Sequence, residues 1–279
     1  MSKLKRILVS LALIAASLGA VQAATAPFDV TATPLSASDA KFLERLESSG
    51  ALDAAVDRSL RRIATQRQEQ VKHEQEAEEA RVSAMSKLAR PVSAKSDFIY
   101  GAPGAAYSVI VYSDFECPYC KQFYGTPERS VDTLNGQANV VWRNFPLSFH
   151  NPAATVEAGA AVCAAAQGGI TVFWKYAEGL MANTQRNGQG LPAVQGEPGI
   201  FALAKSLKLD MPTFKTCLTA DSTQKRITDD IADGVKGGIR GTPGLLIRNN
   251  KTGETIAMKG ATSADNLTAE IKRFISSNK

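Results

Sequence analysis

The chain has 279 residues, of which 44% are hydrophobic and 21% are charged, and its formal net charge at pH 7 is +5. Three of its 32 cations lie within the first six residues, and the remaining 29 face 27 acids, which leaves a net charge of only +2 beyond that segment. This balance excludes the basic surface of a nucleic-acid-binding protein. The length suits one large domain, or one domain with an appendage.

The N-terminal segment has the three parts of a secretory signal peptide. Lys3, Lys5 and Arg6 precede an apolar run over residues 7–18, and small residues follow up to Ala23. The apolar run is shorter than the roughly 20 residues of a membrane-spanning helix, and the sequence offers no other run of that length. We therefore predict that residues 1–23 are removed and that the protein is exported to the periplasm. In that compartment the four cysteines can form disulfides.

The next two segments differ sharply in composition. Residues 24–37 are rich in Ala, Thr and Pro, which predicts an extended leader. Residues 38–90 contain almost no Gly or Pro and are dominated by Glu, Gln, Arg, Lys and Ala, which predicts helix. Gly50 is expected to divide a short helix from a long one.

The long helix carries an apolar stripe. Leu52, Val56, Leu60 and Ile63 are spaced so that they share one helix face, and such a face must pack against something. We predict a stem that forms a homo-oligomer through residues 38–63, followed by a charged helical linker up to residue 90. A helix that lies along its own domain is the alternative.

From about residue 97 the sequence alternates between strand and helix signals. Residues 107–115 are β-branched and aromatic, and the motif Cys-Pro-Tyr-Cys follows them directly. A second strand pattern covers residues 138–147, a helical pattern covers about 150–238, and two strands and a helix end the chain. This order predicts an α/β protein with a thioredoxin fold over residues 97–279 and an inserted helical subdomain, preceded by the helical stem.

Cys117 and Cys120 can be read in three ways. A zinc site needs two further ligands at suitable spacing, and the remaining candidates are isolated in the sequence: His73, His150, Cys163 and Cys217. A structural disulfide across two residues closes a very small loop and stabilises little. The third interpretation is a pair that exchanges electrons with other proteins.

The redox interpretation explains each residue of the motif. If Cys117 caps the following helix, the free amides and the helix dipole stabilise its thiolate, and Pro118 fits the first helical turn. Cys120, one turn further on, can attack a mixed disulfide formed at Cys117. Tyr119 is expected to protrude and to contact substrates.

Three further features lie near this motif in the sequence or far along the chain from it. Thr242 and Pro243 stand just before a predicted strand, where thioredoxin folds place a cis-proline beside the reactive sulfurs. Asp114 and Glu116 flank the first cysteine and can relay a proton if they are buried, although contact with solvent at the end of the strand is the alternative. His150, followed by Asn-Pro, is expected simply to start a helix.

Four segments in this order resemble the DsbA-like disulfide oxidoreductases of the bacterial cell envelope: YSDFECPYCKQF, VVWRNFPLSFHNPA, AGAAVCAAAQ and GIRGTPGLLI. The resemblance covers residues 97–279 and implies that Cys117 and Cys120 form the reactive dithiol and that Pro243 is cis. The segment LERLESSGALDAAVDRSL more loosely resembles the oligomerising stem of the suppressor-of-copper-sensitivity C proteins.

The same resemblance implies a structural disulfide between Cys163 and Cys217, because envelope relatives carry such a pair. Two buried free thiols are the alternative.

Pro118-Tyr119 and Thr242 are similar to the isomerase branch of these proteins, which includes the DsbG-like proteins. We expect a periplasmic disulfide oxidoreductase and isomerase that needs no cofactor. Its partners would be unfolded or misoxidised exported proteins and a membrane redox partner. A DsbA-type dithiol oxidase is the alternative within this class, and a chaperone or a copper(I)-binding thiol protein is the alternative from another class.

Overall fold

The computed structural model describes residues 36–258 and 260–278. The predicted signal peptide and almost all of the predicted leader therefore lie outside the described residues. The chain divides into two compact units, one ending at Gln70 and the other beginning at Val71.

The first unit consists of helix, as the composition predicts. Helix α1 spans Ala37–Ser48 and helix α2 spans Ala51–Ser86, and between them Gly50 adopts a positive φ of 67°. Ser36 caps α1 and forms a capping box with Asp39. Six large apolar side chains of this unit are 40–62% exposed: Phe42, Leu43, Leu52, Val56, Leu60 and Ile63. The predicted stripe is thus an exposed apolar surface.

The last part of α2 belongs to the second unit. The helix ends at Ser86, whose hydroxyl donates a hydrogen bond to the carbonyl of Thr255 at 3.0 Å, and Ala89 just beyond it is buried. Residues 71–90, which the sequence predicts as part of the helical stem and charged linker, fall in the second compact unit. Ser86 and Ala89 are buried within that unit.

A five-stranded sheet forms the centre of the second unit, in the order β1-β3-β2-β4-β5. The strands are β1 (Phe98–Tyr100), β2 (Tyr107–Ser113), β3 (Ala138–Asn144), β4 (Gly244–Asn249) and β5 (Thr255–Met258). The β2 and β3 strands are parallel, and the other neighbouring pairs are antiparallel.

In the part of the chain that the structure describes, seven more helices surround this sheet. They are α3 (Pro118–Phe123), α4 (Thr126–Asp132), α5 (Ala153–Asn183), α6 (Gly199–Ser206), α7 (Met211–Thr219), α8 (Asp221–Lys236) and α9 (Ala264–Ser277). The insertion α5–α8 lies between β3 and β4 in the chain. The predicted α/β thioredoxin fold with an inserted helical subdomain and a preceding helical segment is confirmed.

Strand β2 is buried along its whole length, because helices cover both faces of the sheet. Side chains alternate between the faces of a strand. Val109 and Val111 therefore share one apolar cluster with Leu267 of α9, whereas Ile110 and Tyr112 belong to a second cluster on the other face.

Helix α5 is long and apolar enough, by length and composition, to cross a membrane. Its backbone leaves helical geometry at Gly169. Of its most apolar stretch of 18 residues, 44% is buried within the described residues. Phe173, Tyr176 and Leu180 of this helix belong to the main apolar cluster of the domain. These buried contacts explain why α5 is hydrophobic, since it is a helix of the domain core.

A buried ion-pair network lies on the sheet face opposite α9. Arg143 of β3 is fully buried, and its guanidinium group lies 3.2 Å from a carboxylate oxygen of Asp97 and 2.7 Å from one of Asp233. The hydroxyl of Tyr112 donates a hydrogen bond to the same Asp233 oxygen. Arg90, just beyond α2, contacts Asp97 as well, at 2.8 Å. The network therefore links the end of the N-terminal helical region to the sheet and to α8.

We predict that Arg143→Met lowers the free energy of unfolding by about 3–5 kcal/mol, because it leaves buried carboxylates without their cation. Urea unfolding followed by circular dichroism measures the change. Arg81→Met is the control, since Arg81 pairs with Glu78 on an exposed face of α2 and such pairs contribute about 0–1 kcal/mol. Equal losses in the two variants would contradict the prediction.

Candidate active site

The end of β2 leads two cysteines to the start of a helix. Cys117 is the N-cap of α3, with extended φ and ψ of −76° and 123°, and Pro118 occupies the first turn. Both Cys117 and Cys120 are free thiols and are only 3% and 2% exposed. Tyr119, between them, is 65% exposed. The motif therefore presents one protruding aromatic side chain above two shielded sulfurs.

The Thr242–Pro243 segment lies against the first cysteine. Its peptide bond is cis, and it precedes β4, which pairs with β2. The sulfur of Cys117 is 3.5 Å from the carbonyl oxygen of Thr242. A cleft of about 520 Å³ opens here and is lined in part by Tyr119, Thr242 and Pro243. The structure thus brings together the predicted site residues of the motif and of the distant Thr-Pro pair.

The two thiols differ strongly in acidity. A hydrogen bond from Cys120 lowers the pKa of Cys117 to about 5, and the backbone amides of Tyr119 and Cys120 act in the same direction. The side chain of Thr242, whose buried hydroxyl has no hydrogen-bond partner among the described residues, also lowers the pKa of Cys117. Burial and the neighbouring Cys117 thiolate raise the pKa of Cys120 well above its ordinary value. At neutral pH Cys117 is therefore the nucleophile, and Cys120 holds a proton.

Asp114 and Glu116 are both buried, at 2% and 0% exposure, so the alternative that they lie in solvent is wrong. The carboxylate of Asp114 accepts hydrogen bonds from the amides of Glu116 at 2.8 Å and Leu147 at 2.9 Å. It also lies 2.7 Å from Nδ1 of His150. His150 is in a short 3₁₀ turn (Ser148–His150) that covers the end of the strand, so its role extends beyond starting a helix.

Glu116 connects the cysteine motif to the helical insertion. Its carboxylate accepts hydrogen bonds from the amides of Gly188 at 2.7 Å and Gly190 at 2.9 Å. Its backbone carbonyl accepts a third, from Asn187 at 2.9 Å. Both glycines have a positive φ, which favours glycine at these positions in the loop that follows α5. The residue next to Cys117 is thus fixed by a loop of the insertion.

Glu157 of α5 is a third buried carboxyl in this region, at 1% exposure. The hydroxyl of Thr184 donates a hydrogen bond to Oε1 at 2.8 Å, while Oε2 has no partner among the described residues. Burial raises the pKa of Glu157 to about 8, and the negative charge of Glu116 acts in the same direction. Near neutral pH Glu157 therefore carries a proton. This residue is not among those that the sequence singles out, although it is the one acid in the alanine-rich stretch of residues 151–167, which was an available signal.

Glu128 of α4 lies behind the second cysteine. It lines a small cavity together with Cys120, Ser113 and Trp142. Its Oε2 atom is buried and has no hydrogen-bond partner among the described residues, and burial raises its pKa. A carboxyl in this position can take up the proton that Cys120 must lose before it attacks a disulfide.

The other two cysteines form a disulfide between α5 and α7, the pairing that the resemblance implies. The S–S distance between Cys163 and Cys217 is 2.02 Å. They are therefore unavailable as ligands for the zinc alternative. Among the described residues, no group of three or more His, Cys, Asp or Glu side chains is placed to hold a metal ion.

A protein-family model described as Thioredoxin (Thioredoxin_4) matches residues 93–269. Among solved structures, DsbA2 of Pseudomonas aeruginosa is 31% identical, with a TM-score of 0.56, and the match covers 64% of this chain and 94% of that one. A linker-deletion mutant of ScsC from Proteus mirabilis is 20% identical, with a TM-score of 0.56, and the match covers 88% of this chain and 99% of that one. The similarity to ScsC, at 20% identity, shows a shared fold and nothing more.

Curated relatives include a protein named Na(+)/H(+) antiporter NhaA 1, from Salinispora arenicola. It is 32% identical over 164 residues, which is 58% of this chain and 23% of the relative. The chain therefore spans about a quarter of the length of the curated relatives that it matches.

We predict that iodoacetamide alkylates Cys117 with a pH midpoint near 5. Cys120 should react only after denaturation, since its raised pKa keeps its thiol protonated in the folded protein. Mass spectrometry of the reduced protein at successive pH values measures both reactions. Cys120→Ala should move the midpoint upward, because it removes the hydrogen bond that contributes most to the thiolate's stability. A midpoint near 9 in the unsubstituted protein would contradict this assignment.

We also predict that the stability of the oxidised protein falls as the pH rises towards and through about 8. Folded Glu157 keeps its proton up to that pH, whereas in the unfolded chain it loses its proton near 4.5, so the folded state binds more protons in this interval. The slope is at most about 1.4 kcal/mol per pH unit.

Urea unfolding between pH 5 and pH 9 tests this expectation, and these two pH values are chosen to bracket the titration. Glu157→Gln, which cannot ionise, should flatten the slope. Glu178→Gln is the matched control, because Glu178 is an exposed acid on the same helix. If Glu157→Gln retained the full slope, Glu157 would not be the group responsible.

Proposed function

The chain belongs to the thioredoxin family, and on this premise we propose that it is an exported thiol–disulfide oxidoreductase that isomerises or reduces wrong disulfides in other exported proteins. The observation that carries the proposal is the Cys117 thiolate, stabilised at the N-terminus of α3 and placed at a cleft beside Pro243. The 31% identity to DsbA2 supports the same class of reaction.

The reaction begins at Cys117. Its thiolate attacks one sulfur of a client disulfide, a new S–S bond forms between Cys117 and the client, and the other client sulfur leaves as a thiolate. Tyr119 and the Thr242–Pro243 segment border the cleft and are placed to contact the client chain on either side of the reacting sulfur.

The mixed disulfide can then be resolved in two ways. A different thiolate of the client attacks the client sulfur and releases reduced Cys117, which completes an isomerisation without net electron transfer. Alternatively Cys120 loses its proton and attacks Cys117, which leaves the client reduced and the cysteine pair oxidised. The second route requires a redox partner that returns two electrons, and we assign this role to a membrane protein.

The exposed stripe on α1 and α2 supports an oligomeric form. Leu60, for example, is 58% exposed within its unit. Burial of such side chains against another copy of the chain would stabilise an oligomer. We propose a homo-oligomer through residues 38–63, in which several active sites can engage one misfolded client. This arrangement favours isomerisation over simple oxidation.

The proposal that the protein is exported rests on the sequence of residues 1–23, with its cations, apolar run and small residues. We propose the periplasm as the location. A disulfide between Cys163 and Cys217 is consistent with an oxidising compartment.

A dithiol oxidase is the second candidate. The low pKa of Cys117 favours it, because a stabilised thiolate stabilises the reduced pair and makes the oxidised pair a stronger oxidant. The direction of electron flow in a client assay separates the two candidates.

We predict that the full-length protein restores activity to a small enzyme whose disulfides have been scrambled. Cys117→Ser should abolish this activity, and Cys120→Ser should accumulate mixed disulfides visible on a non-reducing gel. A protein that oxidises reduced clients but leaves scrambled ones unchanged would be a dithiol oxidase. Activity retained without either cysteine would indicate a chaperone.

The oligomer is tested in the same assay. Val56→Glu combined with Leu60→Glu should yield monomers by analytical ultracentrifugation and should reduce the isomerase activity. Ala54→Glu combined with Thr65→Glu adds the same charge on the opposite helix face and is the matched control. Monomers in the unsubstituted protein would contradict the proposed stem.

A further inference from the structure

Strand β5 forms one edge of the sheet, and its register shows which main-chain groups face outward. The amide of Asn249 donates to the carbonyl of Glu254 at 2.8 Å, and hydrogen-bonded pairs alternate with other pairs along an antiparallel ladder. The N–H and C=O groups of Thr255 and Ala257 therefore point away from β4. The hydrogen bond from Ser86 to the carbonyl of Thr255 agrees with this assignment.

A groove with a volume of about 720 Å³ lies between this edge and α2. Apolar and acidic side chains share its helical wall, and the strand wall is apolar. The helical wall includes Val71, Val82, Glu74, Glu78 and Glu79, and the strand wall includes Ala257 and Met258. The helical wall runs from residue 71 to residue 83, a length of about 18 Å, which matches about five residues of extended chain.

The groove is continuous with the cleft beside Cys117. Val82, Ala257 and Met258 line both cavities. The pairing of Leu245 with Met258 explains this continuity. Leu245 follows Pro243 by two residues, so the end of β5 lies beside the chain that borders the cleft.

We propose that this groove binds an extended segment of the client polypeptide next to the cysteine held by Cys117, as a strand added to β5. The added strand would pair its main chain with Ala257 and pack apolar side chains against Val71, Val82 and Met258. The inference rests on the proposed function and specifies its substrate as extended, apolar polypeptide.

Unfolded or misoxidised proteins offer both of the features that this groove can bind. Their apolar side chains are exposed and their main-chain groups are unpaired. Main-chain pairing is independent of sequence, which suits an enzyme with many clients. A second copy of this chain is another candidate occupant, but only a client is brought to the groove by its link to Cys117.

The test uses the full-length Cys120→Ser protein, in which the mixed disulfide persists. One probe is the peptide Thr-Val-Thr-Val-Cys-Gly-Ser, and the other is glutathione, each joined through its cysteine to thionitrobenzoate. The Cys117 thiolate attacks the probe sulfur and releases the coloured thionitrobenzoate anion. The measured quantity is the ratio of the peptide rate to the glutathione rate.

Two substitutions probe the groove. Ala257→Pro removes the outward N–H group without removing a hydrogen bond to β4, and Val71→Glu places a charge on the helical wall. We expect each to lower the rate ratio, Ala257→Pro by up to about tenfold. Ala80→Glu, at an exposed position of α2 that does not line the groove, is the matched control and should preserve the ratio.

The outcomes separate this inference from the proposed function. An unchanged ratio in folded Ala257→Pro and Val71→Glu proteins overturns the groove while the thiol chemistry stands. Failure of every protein to release thionitrobenzoate from the glutathione probe overturns the proposed function and the inference with it. Hydrogen exchange at the Ala257 amide should slow only when peptide is bound, and protection before peptide is added would assign the groove to another segment or copy of this chain.

Discussion

The central position of β2, paired with β3 on one side and β4 on the other, is the constraint on which the site depends. Its parallel pairing with β3 requires a crossover, and α3 and α4 provide it. Because the crossover begins where β2 ends, Cys117 is placed at a helix N-terminus. Because β4 runs antiparallel to β2, the Thr242–Pro243 segment before β4 meets the same end of the sheet. The thiolate and the segment that borders its cleft therefore come from residues 125 positions apart.

The sequence predicts this part of the molecule well, because the signals are local. The β-branched run before Cys117 and the helical pattern of residues 150–238 predict the thioredoxin fold with its insertion, and the two short motifs identify the dithiol and Pro243. The partners of Glu116 could not be predicted in this way. They are amides 72 and 74 residues away, and their position depends on a loop conformation with positive φ that leaves only a weak pattern in the sequence. The burial of Asp114 has the same cause, since a distant turn containing His150 covers it.

The helical insertion covers one part of the sheet and also affects the electrostatics of the site. Glu157 lies on α5, and the disulfide between Cys163 and Cys217 joins that helix to α7. Fixing α5 keeps Glu157 beside Glu116. Two adjacent buried carboxylates would repel each other if both were ionised, so one retains a proton. This arrangement leaves Glu116 free to bind the amides of Gly188 and Gly190 while limiting the negative charge close to the Cys117 thiolate.

Within the reaction that we propose, the stabilised Cys117 thiolate also favours release of the protein from the mixed disulfide. A thiol of low pKa is a good leaving group, so a mixed disulfide at Cys117 is readily attacked at its client sulfur by another thiol of the client. Cys120 competes with that attack only after it loses its proton, and its burial opposes this loss. When the attack of Cys120 on Cys117 is slow, the client remains bound for longer, and a second client thiol more often resolves the mixed disulfide. Within the proposed reaction, the burial of Cys120 thus favours rearrangement of client disulfides over their reduction.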